Sequence, residues 1–275
     1  MNIIESIILG IVQGLTEFLP VSSSGHLVLV GKLLKLPDQN DLQFVRFVVV
    51  VHLGTLAAVI SVYRAKIRRL LRGVYRGRIR LRNGKWQFQN PDTKMVCLLA
   101  LATIPAVLVG MLFNNMIKGA FGSPLTAGIC LAVTGLVLFC LRFKKPGQEK
   151  VTSFRSLIIG IAQAVAILPG ISRSGLTISA GIYSGVERTR AAEFSFLLSI
   201  PAILGAILIE LKDIAHLSQS PHLIPYAAGM LTAFAAGYAA ILTLLRLVMN
   251  RQLYWFSFYC WGVGAAVLTY SLLAL

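Results

Sequence analysis

A chain of 275 residues that is 56% hydrophobic and only 13% charged, with a mean hydropathy of +0.77, has more apolar sequence than one water-soluble core can hide. Its net charge of +16 would suit nucleic acid, but no nucleic-acid-binding module is evident and the cations cluster between long apolar runs. Composition therefore excludes an ordinary soluble domain and argues against a nucleic-acid partner.

The chain opens Met1-Asn2-Ile3-Ile4-Glu5, without a basic region or a small-residue cleavage site, so no removable signal peptide is expected. Residues 1–36 read as two helical arms about a turn from Pro20 to Gly25. A span at 44–63 follows, then a hydrophilic stretch, 64–94, holding eleven Lys/Arg. Spans at 95–113 and 124–141 lead to a second basic stretch, 142–155. Residues 155–186 again form two arms, about a turn from Pro169 to Gly175. Spans at 190–210, 224–246 and 254–274 complete the chain. Each approaches or exceeds the roughly 20 residues that a helix needs to cross a bilayer.

Cytoplasmic loops are enriched in Lys and Arg. With 64–94 in the cytoplasm, twenty cations fall inside and five outside (Lys32, Lys35, Arg46, Lys118 and Lys212), leaving Arg173. Segments 1–36 and 155–186 must then each begin and end on one side, the first outside and the second in the cytoplasm. Non-helical backbone at such depth is tolerated only under protein or water cover. The expectation is an all-α polytopic integral membrane protein with six transmembrane helices and two re-entrant helical hairpins, arranged as an inverted-topology repeat. The first unit is 1–141, with hairpin 1–36 and the cytoplasmic loop 64–94; the second is 142–275, with hairpin 155–186.

The two turns are related. At an offset of 150, Ile8, Gly10, Ile11, Gln13, Ser22, Ser24 and Gly25 recur as Ile158, Gly160, Ile161, Gln163, Ser172, Ser174 and Gly175. The copies differ where chemistry resides: Glu17, Ser23 and His26 face Ile167, Arg173 and Leu176. Inverted repeats with broken helices place a binding site at their interface.

Gln13 and Glu17 share a helix face at i,i+4. Pro20 ends that arm, and Ser22, Ser23, Ser24 and Gly25 follow at a helix start, where free N–H groups attract anions. His26 exchanges protons near neutral pH. The second turn adds Ser172, Ser174, Gly175, Thr177 and Arg173, whose guanidinium suits phosphate. Together these describe an oxyanion site. A plainer alternative makes Glu17 and Arg173 a structural ion pair and the serines helix caps. A metal reading through Glu17, His26 and Gln13 is weaker, because Gln is a poor ligand. His52, alone on an apolar span, reads as a packing residue, and Glu193 as a local partner of Arg190. Glu210, Lys212 and Asp213 mark the outer end of the fourth span, and His216 and His222 read as external-loop residues. The four cysteines, Cys97, Cys130, Cys140 and Cys260, fall in apolar spans without metal-ligand spacing.

Gln13-x-x-x-Glu17 running into Phe18-Leu19-Pro20-Val21-Ser22-Ser23-Ser24-Gly25-His26, with the distant Pro169-Gly170-Ile171-Ser172-Arg173-Ser174-Gly175-Leu176-Thr177, resembles the bacterial undecaprenyl-diphosphate phosphatases of the bacitracin-resistance type. The resemblance implies hydrolysis of undecaprenyl diphosphate to undecaprenyl phosphate and inorganic phosphate, which recycles the lipid carrier of cell-wall synthesis. It implies a catalytic centre of Glu17, Ser23, His26 and Arg173, with the diphosphate held by Ser172, Ser174 and Thr177. Gln13, Ser22, Ser24, Gly25 and Gly175 join them as binding residues. Ser23 as a nucleophile activated by His26 and Glu17, with His26 as base, is the favoured assignment; attack by His26, or by water that it activates, stays open. So do a divalent cation such as Mg2+ or Ca2+, with Glu17 the only candidate ligand, and a homodimer. Expected partners are the polyprenyl diphosphate and membrane lipids. The expected location is the bacterial plasma membrane, with the site facing the exterior. A lipid-phosphate transporter on the same repeat is the rival reading.

Overall fold

A computed structural model describes residues 1–34, 36, 41–76, 79–82, 85–113, 116, 119, 123–145, 147–209 and 222–273. Glu210, Lys212, Asp213, His216, Lys35 and Lys118 lie outside the described residues. Eleven α-helices are present among those described: α1 (Ile3–Phe18), α2 (Ser23–Leu33), α3 (Leu42–Val62), α4 (Arg64–Arg76), α5 (Pro91–Leu112), α6 (Pro124–Cys140), α7 (Ser153–Val165), α8 (Arg173–Tyr183), α9 (Arg188–Ile209), α10 (Leu223–Met249) and α11 (Trp255–Leu273). Five of them, α3, α5, α6 (with the short 3-10 turn to Phe143), α9 and α10, are long and apolar enough to cross a membrane. α11, of 19 residues, is the sixth long apolar helix. The protein is a polytopic, all-helical membrane protein with one small exception. Strands β1 (Ile79–Arg82) and β2 (Lys85–Phe88) pair antiparallel, Ile79 opposite Phe88.

The hydrophilic stretch after α3 is thus not a simple loop. α4 has an apolar stripe and a basic one; Leu70 is buried, and Thr93 Oγ1 donates to the Gly73 carbonyl at 2.8 Å, tying α4 to the start of α5. Alternation of Arg and Lys with Ile67, Leu70, Leu71 and Val74 at helical spacing supplies that amphipathicity.

The second arm of each broken segment is short. At 1.5 Å per residue, α2 and α8, of 11 residues each, reach about 16 Å, half of a ~30 Å hydrocarbon core. α1 begins at a capping box: Asn2 Oδ1 accepts from Glu5 N, and Glu5 Oε2 accepts from Asn2 N, both at 2.8 Å. It stops at Leu19, extended at φ −63°, ψ 144°, because Pro20 disfavours helix in the residue before it. α7 is capped by Thr152, and the turn beyond it passes through Gly170 at φ +91°, where a Cβ would also meet the Ala127 carbonyl at 2.3 Å.

The arms are held by close helix pairs. A Cβ on Gly10 would lie 2.4 Å from the Gly229 carbonyl, and one on Gly14 2.5 Å from that of Ala233, so α1 and α10 run parallel and nearly touch. A Cβ on Gly160 would lie 2.5 Å from the Ala102 carbonyl, and Ser156 Oγ donates to the Leu98 carbonyl at 2.5 Å; α7 and α5 also run parallel. α3 lies parallel to α10, with Gly54 against Met230 and Gly237 near Ala58. α6 and α11 are antiparallel, Gly128 meeting Leu268 and Gly135 meeting Trp261. The main core, around Phe18, Ile178, Ile182, Phe194, Phe196 and Leu198, joins both turns to α9.

Candidate active site

The two turns meet tip to tip. Gly175 lies against Pro20, with a Cβ position 3.2 Å from the proline ring, and Ser174 Oγ donates to the Leu19 carbonyl at 3.3 Å. A side chain at position 175 would push the tips apart.

Glu17 is the hub. Its side chain is only 7% exposed. Oε1 accepts from Arg173 Nη2 across the interface; Oε2 accepts from Ser23 Oγ at 2.6 Å and from Gln13 Nε2 at 3.0 Å. An ionised carboxylate in such a place requires a cation and donors, and both are present. The plainer ion-pair reading is therefore correct as geometry, but it leaves a serine hydroxyl bonded to the same carboxylate.

Local backbone aims these groups. Ser22 sits at φ 70°, ψ 100°, a left-handed conformation that costs a non-glycine residue about 1–3 kcal/mol. That bend starts α2 with Ser23 turned back to Glu17. The Ser22 side chain makes no capping bond to the helix, so the first-turn N–H groups stay uncapped by it. At α8 the reverse holds: Ser172 Oγ accepts from Gly175 N at 3.1 Å.

The histidine's position differs from a base poised on Ser23. His26 Nδ1 donates to the Ser22 carbonyl at 2.7 Å, and Nε2 meets Tyr259 Oη at 2.7 Å, the two rings stacked 5.6 Å apart. Since a carbonyl only accepts, Nδ1 carries a proton. Both nitrogens are engaged, and the Ser23 hydroxyl belongs to Glu17. Of the two expected partners of Ser23, its hydroxyl bonds to Glu17, while His26 bonds to Tyr259.

Of the other expected binding residues, Ser23, Ser24 and Arg173 are partly exposed. Ser22 and Ser24 face each other at 3.4 Å. Gln13, Gly25, Ser172, Ser174 and Gly175 are buried beneath them. Ser172 N donates to Thr134 Oγ1 at 3.1 Å, and its hydroxyl lies 3.2 Å from that of Ser174. Thr177, fully buried, contacts Ser195 Oγ at 2.6 Å and donates to the Arg173 carbonyl at 2.7 Å. It braces the arginine's helix rather than offering its hydroxyl to a ligand.

Two side chains near the hub were not among the expected ones. His52 Nε2 lies 3.8 Å from Glu17 Oε2, so it stands beside the hub rather than alone on its span; an ionisable group on an apolar span was itself the signal. Tyr259, 233 positions from His26, gave no local signal. Glu193 pairs with Lys66 at 3.1 Å instead of Arg190, which takes Glu187 at 2.5 Å.

Among the described residues no three His, Cys, Asp or Glu side chains cluster, so they offer no all-protein cage for a divalent ion.

Comparison with known proteins bears on this site. Residues 6–266 match the family model described as bacitracin resistance protein BacA. A protein of Desulfatibacillum aliphaticivorans named undecaprenyl-diphosphatase is 41% identical over 98% of both chains. Proteins of the same name from Carboxydothermus hydrogenoformans (39% identical, 98% of this chain and 97% of the relative) and Methanobrevibacter smithii (40%, 97% of each) match equally broadly.

Proposed function

As the chain belongs to the bacitracin resistance protein BacA family, we propose that it hydrolyses undecaprenyl diphosphate to undecaprenyl phosphate and inorganic phosphate at the meeting point of the two turns. Its substrate is the membrane-borne polyprenyl diphosphate, and the product is the lipid carrier returned to cell-wall synthesis, with the associated bacitracin resistance.

The observation that carries the chemistry is the Ser23–Glu17 hydrogen bond at 2.6 Å, beside Arg173. Phosphoryl transfer asks chiefly for alignment and charge stabilisation. In the first step the Ser23 oxygen attacks the terminal phosphorus, and its proton passes to Glu17 Oε2. The bond from that phosphorus to the bridging oxygen breaks, releasing undecaprenyl phosphate. The leaving group is a stabilised anion and needs no strong acid. Arg173, already oriented through Nη2, offers its remaining donors to the equatorial oxygens with the uncapped first turn of α2. Water then hydrolyses the phosphoserine: its oxygen bonds to phosphorus as the phosphorus–Ser23 bond breaks, one of its protons goes to the Ser23 oxygen, and inorganic phosphate leaves. Direct activation of water by His26 would require Nε2 to leave Tyr259, so the geometry favours the serine route. His26 instead holds the Ser22 carbonyl and thereby the turn that presents Ser23.

The architecture is read as an inverted-topology repeat. The parallel pairs α1–α10 and α7–α5 support it, because each hairpin lies along the second span of the opposite half. With 64–94 cytoplasmic, the first hairpin enters from the exterior, and the site opens there.

Purified protein in detergent, given undecaprenyl diphosphate, should release phosphate, and rapid acid quenching with a terminally labelled substrate should trap label on Ser23. Ser23→Ala should abolish both. Turnover retained by Ser23→Ala would refute the serine route; no release by the wild-type chain would refute the activity.

A further inference from the structure

His52 lies in the middle of α3, outside both turns, and the reaction above does not use it. Its Nδ1 meets the Val48 carbonyl at 2.7 Å. That carbonyl only accepts, so Nδ1 carries a proton, and in the neutral ring Nε2 is the bare nitrogen. Nε2 faces Glu17 Oε2 at 3.8 Å, the same oxygen that accepts from Ser23. With a neutral ring, two lone pairs oppose each other across this gap and repel unless a proton sits on one of them, and such a proton arises when Ser23 loses its own.

The ring's setting suits such a role. His52 is 25% exposed and Glu17 7% exposed, so the imidazole reaches the protein surface where the carboxylate does not. Its helix cannot drift. A Cβ on Gly54 would lie 2.4 Å from the Met230 carbonyl, and Thr55 Oγ1 donates to the His52 carbonyl at 3.0 Å. Among the described residues, Glu17 of α1 is its one charged contact. Arg173 of α8 holds the opposite oxygen of that carboxylate, α10 presents Met230 and Ala233 to this stretch of α3, and α9 presents Ile203 and Ile207.

We propose that His52 is a positioning residue that orients Glu17 Oε2 toward Ser23 and receives at Nε2 the proton that Glu17 takes from the serine. Ser23 loses its O–H bond, Glu17 gains and then passes on the proton, and His52 releases it to water through its exposed edge. This rests on the reading of Glu17 as the base.

The test uses the full chain in detergent with undecaprenyl diphosphate, comparing wild type, His52→Gln, His52→Asn and Glu17→Gln. Asn keeps a donor near the Val48 carbonyl but deletes Nε2, whereas Gln keeps an amide near Nε2 that cannot carry a proton. Each histidine variant should lose about tenfold or more in kcat with KM within about twofold. Melting temperature serves as the check on folding, and whichever histidine variant folds decides the outcome. Wild-type kcat in the folded variant, alongside an inactive Glu17→Gln, would overturn the His52 inference alone. Turnover retained by Glu17→Gln would instead overturn the base reading.

Discussion

Separating the Glu17–Arg173 pair should cost more than deleting it. Glu17 and Arg173 are 7% and 17% exposed, so neither is fully dry, but both have left most of their water. Removing one member of a buried pair costs about 3–5 kcal/mol, whereas replacing both with neutral groups of similar volume is often neutral. Partial exposure argues for the lower end, about 3 kcal/mol. In a chain of this size that corresponds to a fall of about 6–12 °C in melting temperature. Arg173→Met should show that fall, because the carboxylate keeps only the Ser23 and Gln13 donors. The double variant Glu17→Gln, Arg173→Met should recover most of it. Activity should not recover: losing a preorganised donor to the developing charge costs about 10²–10³ in kcat. Parallel thermal melts and phosphate-release assays in one detergent test both statements. A double variant that melts no higher than Arg173→Met would refute the coupling, and near-normal turnover in Arg173→Met would refute the arginine's role.

Three further outcomes follow from the geometry. Gly10→Val should lower the melting temperature and the folded yield, since its Cβ would lie 2.4 Å from the Gly229 carbonyl, while Gly110→Val, with nothing within 4 Å, should behave as wild type; overpacking of this kind costs about 1–3 kcal/mol. Tyr259→Phe keeps the ring stack on His26 but removes the hydroxyl from Nε2, and should slow phosphate release by up to about tenfold, the worth of one hydrogen bond; unchanged kinetics would show that the bond is idle. In a chain whose native cysteines are replaced, Arg72→Cys should react with a membrane-impermeant thiol reagent only after the membrane is opened, and Ser123→Cys in intact cells; the reverse pattern would invert the topology.

The helices were legible from sequence because lipid allows few alternatives. Apolar runs near 20 residues must be helical there, so α3, α5, α6, α9 and α10 end within a few residues of the expected spans. The broken segments were legible from Pro20 and Pro169 and from the count of cations per side. The stretch after α3 was misread as a loop because its charges outweighed a helical periodicity that Ile67, Leu70, Leu71 and Val74 carry plainly. Glu17, Ser23 and Arg173 were singled out because acid, hydroxyl and guanidinium stand where the repeated turns diverge. Which of its two expected partners holds the Ser23 hydroxyl was not legible: Glu17 bonds to it, while helix geometry turns His26, three residues from Ser23, to Tyr259.

Sequence alone therefore determined the class of molecule, the number of long helices and the residues able to handle a phosphate, since these follow from hydropathy, charge placement and side-chain chemistry. Tertiary structure decided who bonds to whom. The parallel packing of α1 on α10 and of α7 on α5 brings Arg173 to Glu17, turns Tyr259 to His26 and sets His52 beside the carboxylate. Such contacts, 156 and 233 positions apart in the chain, depend on how closely glycine-lined helices approach, which no local pattern records.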